Sequence, residues 1–170
     1  MGTDLDRRSF LRGAFEDHQA LIPRPPGALD SGFAQACKDC TRCSEDCPEQ
    51  VISLDTEGRP FLDPTRGGCT FCGTCIEVCP TGALSPEHLA AWPWQAAISN
   101  TCLSMNGISC RLCQDSCAEQ AIRFRLQTGG RAQPLLDPAS CTGCGACVSI
   151  CPSQSIALEQ TATRVEGSAA

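Results

Sequence analysis

Sixteen cysteines arranged in four groups of four are the feature that most constrains what this 170-residue chain can fold into. Three of the groups have the spacing C-x2-C-x2-C-x3-C, and a proline directly follows the last cysteine of each. These groups begin at Cys37, Cys69 and Cys141, and their prolines are Pro48, Pro80 and Pro152. A chain with so many thiols is built on disulfides or on metal centres, so the cell compartment and the spacing must decide between them.

The first residues argue against a disulfide framework. Residues 6–12 read DRRSFLR, which is similar to a twin-arginine export signal. Such a signal needs an apolar stretch of about 7–15 residues after the arginines. Here Glu16, Asp17 and His18 interrupt that stretch, and no Ala-x-Ala cleavage site follows. We therefore expect the segment to stay uncleaved and the protein to be cytoplasmic, where disulfides are rare.

The spacing within the groups favours iron–sulfur clusters over zinc. A zinc site needs two C-x2-C pairs and has no use for a third evenly spaced cysteine or for the proline. The observed run is instead the bacterial ferredoxin signature of a [4Fe–4S] cluster. In that arrangement three cysteines of a run bind one cluster and the fourth binds a second cluster. Three copies of the run therefore predict [4Fe–4S] clusters.

The third group departs from this pattern. Its members are Cys102, Cys110, Cys113 and Cys117; seven residues separate the first two, and Ala118 takes the place of the proline. A longer first loop can still deliver a thiolate to one corner of a cluster, so we expect four clusters in total. The alternative is that Cys102 is a buried thiol and that the third site is incomplete.

A repeat of about seventy residues predicts two modules. Cys47 and Cys117 lie 70 residues apart, and each is followed by a short apolar run, a Gly-containing turn and a second short run, the pattern of a β-hairpin. Cys79 and Cys151 lie 72 residues apart, and no hairpin pattern separates groups two and three. We expect an α+β fold of tandem ferredoxin-like modules, each with two [4Fe–4S] clusters, short helices and a hairpin. A nested pairing of group one with group four is the alternative, which the hairpin placement disfavours.

The predicted organisation has five parts. They are an N-terminal helical arm at 1–32, module 1 at 33–85, a helical linker at 86–101, module 2 at 102–159 and a flexible tail at 160–170. Apolar residues at helical spacing in the arm, among them Phe10, Leu11 and Phe15, predict a helix that either packs on module 1 or docks a partner. In the linker, Trp92 and Trp94 are expected to anchor the modules to each other.

Exchange of the fourth cysteines within each module gives four predicted sites with four ligands each. Site 1 comprises Cys37, Cys40, Cys43 and Cys79; site 2 comprises Cys69, Cys72, Cys75 and Cys47; site 3 comprises Cys102, Cys110, Cys113 and Cys151; and site 4 comprises Cys141, Cys144, Cys147 and Cys117. The side chains expected to shield these sites from water are Phe71, Ile76, Val78, Val148 and Ile150. Because each site takes ligands from both halves of its module, folding and cluster loading should be coupled.

The order of these features resembles one family. The residues that carry the resemblance are the RRSFLRG start at 7–13, the irregular third group, and Ser85-Pro86-x-His88 and Trp92 in the linker. Over about residues 7–158 they are similar to the NapF family of ferredoxin-type proteins of bacterial periplasmic nitrate reductase systems. The resemblance implies a cytoplasmic protein with four [4Fe–4S] clusters. It also implies that the protein binds the catalytic molybdenum subunit before export and assists maturation of its iron–sulfur centre. The alternative function is that of a plain electron carrier between a reductant and an oxidoreductase.

Other function classes find no support in the sequence. The net charge is −6, whereas a nucleic-acid-binding protein normally presents a basic surface. No run of 18 or more apolar residues predicts a membrane span. No nucleophile–base pair, Walker loop or GxGxxG motif is present, so we do not expect an enzyme that acts alone.

Overall fold

The computed structural model describes residues 22–29, 31–38 and 40–161. The predicted arm up to residue 21 and the tail beyond residue 161 lie outside the described residues. Five one-turn α-helices occur in the described part of the chain: α1 (Phe33–Ala36), α2 (Arg42–Glu45), α3 (Thr74–Glu77), α4 (Leu112–Asp115) and α5 (Ala146–Ser149). Its strands are β1 (Ile52–Leu54), β2 (Pro60–Leu62), β3 (Trp94–Ile98), β4 (Ile122–Leu126), β5 (Ala132–Leu136) and β6 (Ile156–Gln160). Short 3₁₀ helices span Pro86–Ala91, Ser104–Asn106 and Thr128–Gly130. None of the described helices is long and apolar enough to cross a bilayer.

The strands form three small antiparallel sheets of two strands each. In the first, β1 pairs with β2 so that Ile52 lies opposite Leu62. In the second, β4 pairs with β5 so that Ile122 lies opposite Leu136. These are the two predicted hairpins, one after the first run and one after the third, and together with the short helices they confirm the α+β prediction. The third sheet pairs β3 with β6 over five residue pairs and closes module 2.

The predicted helical linker is helical only in its first half. The Ser85 hydroxyl accepts a hydrogen bond from the Glu87 N–H at 3.4 Å and caps the 3₁₀ helix Pro86–Ala91. The chain then becomes extended, and the second half of the stretch forms β3, which belongs to module 2. The physical reason is an alternation that the helical interpretation missed. Trp94 and Ala96 are buried at a spacing of two residues while Gln95 between them is partly exposed, as in a strand with one covered face.

Each module has its own apolar core, and cysteines are part of both. The first core contains Phe33, Cys43, Ile52, Ala83 and Leu84, and the second contains Ala96, Cys113, Ile122, Cys147 and Ile156. Of the predicted shielding residues, Ile76 and Val78 pack on the first core and Val148 packs on the second. The prediction is wrong for Ile150, which is 42% exposed at the C-cap of α5. Hydrophobic packing therefore shields the buried thiols of Cys43, Cys113 and Cys147 from water.

Candidate metal-cluster sites

In module 1 the structure brings the predicted ligands together in two separate places. Site 1 is one small cavity, and the cysteines that line it are Cys37, Cys40, Cys43 and Cys79. Site 2 is another, and the cysteines that line it are Cys47, Cys69, Cys72 and Cys75. In each cavity three cysteines belong to one run and the fourth comes from the other half of the module, which is the exchange expected of a ferredoxin with two clusters.

Site 4 of module 2 has the same organisation. All four of its predicted ligands line a cavity of about 340 Å³. They are Cys117, Cys141, Cys144 and Cys147. A further cysteine, Cys69, lines the same cavity although it belongs to site 2 in module 1. Sites 2 and 4 are therefore neighbours across the boundary between the modules.

Site 3 is built around the irregular run. Cys102 and Cys113 are each only 8% exposed, and Cys102 and Cys110 lie close enough to Cys113 to raise the pKa of its thiol further after burial has raised it. Cys151, the fourth predicted ligand, packs on the same core as Cys113. The structure thus places Cys102 in the interior near Cys113, one of its predicted partners.

A hydrogen-bonded loop holds Cys102 in place. The Asn106 side-chain amide donates to the carbonyl of Cys102 at 2.8 Å and to the carbonyl of Asn100 at 2.9 Å. The backbone N–H of Cys102 donates to the carbonyl of Ser99 at 3.2 Å. The long spacing between the first two cysteines is therefore a folded segment that turns back on itself. Sequence spacing alone does not reveal Asn106 as its organiser.

One backbone turn recurs after the last cysteine of every run. The residue three positions after that cysteine has a left-handed conformation, with φ between 49° and 68°; these residues are Gln50, Gly82, Gln120 and Gln154. The turn directs the next N–H at the sulfur, as Ala121 does to Cys117 at 3.3 Å and Ser155 to Cys151 at 3.4 Å. The left-handed conformation of a non-glycine residue costs about 1 kcal/mol of folding free energy. Other interactions of the turn must therefore compensate for this cost in the three runs that have Gln.

The third run keeps this turn although Ala118 stands in place of the proline. Proline is therefore not what aims the N–H at the sulfur. The signal that could have identified the turn is the position three after the last cysteine, where Gln occurs in three of the four runs and Gly in the other.

Burial dominates the acidity of the interior thiols. It raises the pKa of Cys43 and Cys113 to about 11 and the pKa of Cys75 and Cys147 to about 12, and repulsion from neighbouring thiolates adds to the effect. At neutral pH these thiols hold their protons until a cation takes their place. Because iron binds the thiolate, loading a cluster must release these protons.

The pKa is lowered, not raised, for two thiols that are the last cysteine of their run, Cys79 and Cys151. Burial opposes the ionisation of Cys79 and Cys151, but hydrogen-bond donors around each sulfur outweigh it and lower the pKa of both thiols. The donors include the N–H groups of Leu84 and Thr81 at Cys79, and the hydroxyls of Ser155 and Ser153 at Cys151. Hydrogen bonds to ligand sulfurs are one way in which a protein sets the reduction potential of a cluster.

The predicted ligands of all four sites are cysteine thiols, and a [4Fe–4S] cluster takes four cysteine thiolates. Thiol ligands, apolar walls and N–H···S bonds together fit [4Fe–4S] clusters.

Comparison with known families defines the class of protein. Residues 36–84 and residues 108–155 each match a family model described as a 4Fe-4S dicluster domain. The chain is therefore a tandem ferredoxin-type protein that carries [4Fe–4S] clusters and transfers electrons. The first match contains all eight cysteines of module 1, whereas the second begins after Cys102.

Similarity to curated proteins extends over nearly the whole chain. It is 35% identical over 159 residues to the ferredoxin-type protein NapF of Escherichia coli K12, covering 94% of this chain and 97% of that protein. It is 38% identical over 165 residues to NapF of Haemophilus influenzae, covering 91% and 94%. The chain belongs to the NapF family of ferredoxin-type proteins, which confirms the resemblance found in the sequence. It is also 32% identical over 165 residues to the methylamine utilization ferredoxin-type protein MauM of Methylobacillus flagellatus, covering 86% and 68%.

Proposed function

We propose that sites 1 to 4 each hold one [4Fe–4S] cluster, with the ligands exchanged between the two halves of each module. At sites 1, 2 and 4, all four predicted ligands of the site line one cavity, and each site has its own cavity, which supports the assignment. The fourth set is supported by the burial of Cys102 beside the other cysteines of its run. Anaerobically purified protein should then contain about sixteen irons and sixteen labile sulfides per chain.

We further propose that the protein acts in the cytoplasm, where it binds the catalytic molybdenum subunit of a periplasmic nitrate reductase and assists its iron–sulfur maturation before export. The observation that carries this proposal is the similarity to NapF proteins over more than nine-tenths of the chain. That coverage extends beyond the dicluster domains, which are common to many ferredoxins. The regions outside them are where partner specificity can be encoded.

The arm is the part of the chain that we assign to partner binding. The apolar residues at helical spacing in the arm include Phe10 and Phe15. Loss of two buried Phe side chains from an interface costs several kcal/mol of binding free energy. The first candidate cluster ligand in the chain is Cys37, so cluster loading should not depend on Phe10 and Phe15. Under the competing hypothesis, in which the arm packs on module 1, the same change would disturb the clusters.

The test is anaerobic capture of the purified catalytic subunit, in its cluster-free and loaded forms, on the immobilised full-length protein. We expect the wild-type protein to retain the cluster-free subunit and the Phe10→Asp/Phe15→Asp variant to retain at least tenfold less. A Phe10→Leu/Phe15→Leu control keeps the apolar surface and should retain most binding. Iron content should be equal in all three proteins. Loss of iron in the Asp variant would favour packing on module 1, and failure of the wild type to bind either form would refute the proposed partner.

A plain electron carrier is the second candidate function. The observation that favours it is the similarity to MauM, whose name places it in methylamine utilization. Both relatives are described as ferredoxin-type proteins, yet the name of MauM refers to a process other than nitrate reduction. Reoxidation of the dithionite-reduced protein by the loaded catalytic subunit, without any gain of iron by the cluster-free subunit, would favour this function over maturation.

A further inference from the structure

The two modules meet where their second cysteine runs approach each other. The backbone N–H of Cys69 in site 2 donates to the carbonyl of Cys144 in site 4 at 2.8 Å. Beside this bond, a Cβ atom on Gly68 would lie 2.7 Å from the Cβ of Ala146. Real Cβ atoms do not approach so closely, so only glycine allows the two ligand-bearing segments to touch at this point.

Further close contacts between the two modules surround this point. A Cβ on Gly145 would lie 2.8 Å from the Cβ of Pro64 in module 1. The ring of Trp92 meets the edge of Phe71 with a centroid distance of 5.9 Å and an interplanar angle of 82°. The indole nitrogen of Trp92 lies 2.7 Å from the position that a Cβ on Gly143 would take. Trp92 thus touches the loop between the first two cysteines of both runs.

Within each module, the two sites are also neighbours. Helix α2, which carries Cys43 of site 1, packs against α3, which carries Cys75 of site 2. Helix α4, which carries Cys113 of site 3, packs against α5, which carries Cys147 of site 4. Site 2 is therefore next to sites 1 and 4, and site 4 is next to sites 2 and 3.

We propose that this junction joins the four sites into a single electron relay in the order site 1, site 2, site 4, site 3. Gly68, Gly145 and Trp92 are its positioning residues. The proposal rests on the four clusters of the proposed function. The rate of electron tunnelling through protein falls steeply with distance, so a backbone contact between ligand residues favours transfer across it. Each transfer moves one electron, oxidises one site and reduces the next, and requires neither a proton nor a change of bonds.

The test is electron paramagnetic resonance of the dithionite-reduced full-length protein with two sites removed at a time. A Cys40→Ser/Cys110→Ser variant lacks a ligand of sites 1 and 3 and should keep about eight irons, in sites 2 and 4. We expect its two spins to show mutual dipolar broadening. The matched Cys40→Ser/Cys141→Ser variant should also keep about eight irons, in sites 2 and 3, which the proposed order separates by site 4. Its spins should show several-fold weaker broadening.

The second measurement uses a larger side chain at the junction between the modules and keeps all the cysteine ligands. Gly68→Val should reduce the broadening between sites 2 and 4 while the iron content stays at the wild-type value. Gly82→Gln is the control, because Gln occupies the equivalent left-handed position in the other three runs and Gly82 has open space around it. This control should leave the spectrum unchanged.

Two results would overturn the relay. One is equal broadening in the two ligand-deleted variants, and the other is a wild-type spectrum that equals the sum of two separate pairs and does not respond to Gly68→Val. If the ligand-deleted variants lose more iron than expected, the wild type and the two glycine variants decide the question. An iron content well below sixteen in the wild type would instead refute the four-cluster part of the proposed function. Failure to capture the catalytic subunit would leave these spectra unaffected.

Discussion

The two modules carry matching cysteine runs, yet different structures close them. In module 2, β3 before the first cysteine pairs with β6 after the last over five residue pairs. In module 1 the corresponding contact is a single bridge between Ala28 and Leu84. There the chain before the first cysteine is held instead by Arg24, which donates to the Asp55 carboxylate at 2.9 Å and to the Pro60 carbonyl at 3.1 Å. The cysteine runs and the hairpin are common to both modules, whereas a five-pair sheet closes module 2 and a single bridge with an ion pair closes module 1.

The first site of each module differs in the same way. In module 1 only two residues separate the first two cysteines, and Cys37 is partly exposed. In module 2 the loop organised by Asn106 separates them, and Cys102 is buried. The longer spacing therefore moves the first ligand into the interior, and site 3 should depend on its loop in a way that site 1 does not.

The largest expected effect comes from removing this first ligand in each module. Cys102→Ser and Cys37→Ser should each lower the iron content by about four per chain, measured after anaerobic purification. Cys102→Ser should also destabilise module 2 by about 1–3 kcal/mol, because it leaves a hydroxyl buried without a partner. A Cys102→Ser protein that keeps all its iron would show that Cys102 is only a buried thiol and that site 3 is incomplete.

A smaller effect should follow from opening the loop without touching a ligand. Asn106→Ala removes two hydrogen bonds to backbone carbonyls, each of which contributes about 0.5–1.5 kcal/mol net. Iron release to a chelator should become about tenfold faster for roughly a quarter of the iron, because about 1.4 kcal/mol corresponds to a factor of ten.

The control for the loop is Asn100→Ala. The hydrogen bond that Asn100 accepts from Asn106 uses its backbone carbonyl, which the substitution preserves. Its iron should be released at the wild-type rate. Faster release of all the iron in Asn106→Ala would mean that the loop supports the whole module rather than site 3.

The features that the sequence predicted are local in the chain. The spacing of the cysteines identified the candidate ligands, and the apolar runs on both sides of a glycine identified both hairpins. The pairing of β3 was missed because its partner β6 begins 58 residues after β3 ends and only Trp94 and Ala96 mark its buried face. Trp92 was expected at the module junction, but the contact between Gly68 and Ala146 was missed for a similar reason, since these two residues are far apart in the chain and neither indicates a contact by its type.

Removing the ion pair that closes module 1 gives the smallest expected effect. Burial alone would raise the pKa of Asp55, but the Arg59 N–H and the Arg24 guanidinium outweigh it and lower the pKa below the ordinary value. Asp55→Asn keeps an oxygen that can accept from the backbone but loses the charge. We expect a loss of about 1 kcal/mol in the free energy of unfolding, measured by anaerobic urea unfolding and followed by bleaching of the cluster absorption. Glu77→Gln, which changes an exposed carboxylate of the same module, should stay within about 0.5 kcal/mol of the wild type.

The pH dependence of this loss distinguishes the ion pair from other causes. Because the folded-state pKa of Asp55 is lowered, its contribution to stability is fully present above the ordinary Asp pKa. That contribution disappears only when the pH falls through the lower, folded-state pKa. The difference between Asp55→Asn and the wild type should therefore be constant from about pH 8 to about pH 5, well above the ordinary Asp pKa of about 3.9. A difference that shrinks between pH 8 and pH 6 would assign the effect to another titrating group. No difference at any pH would mean that the Arg24–Asp55 pair does not help to close module 1, and that the Ala28–Leu84 bridge and the hydrogen bond from the Leu62 N–H to the Pro23 carbonyl hold the segment.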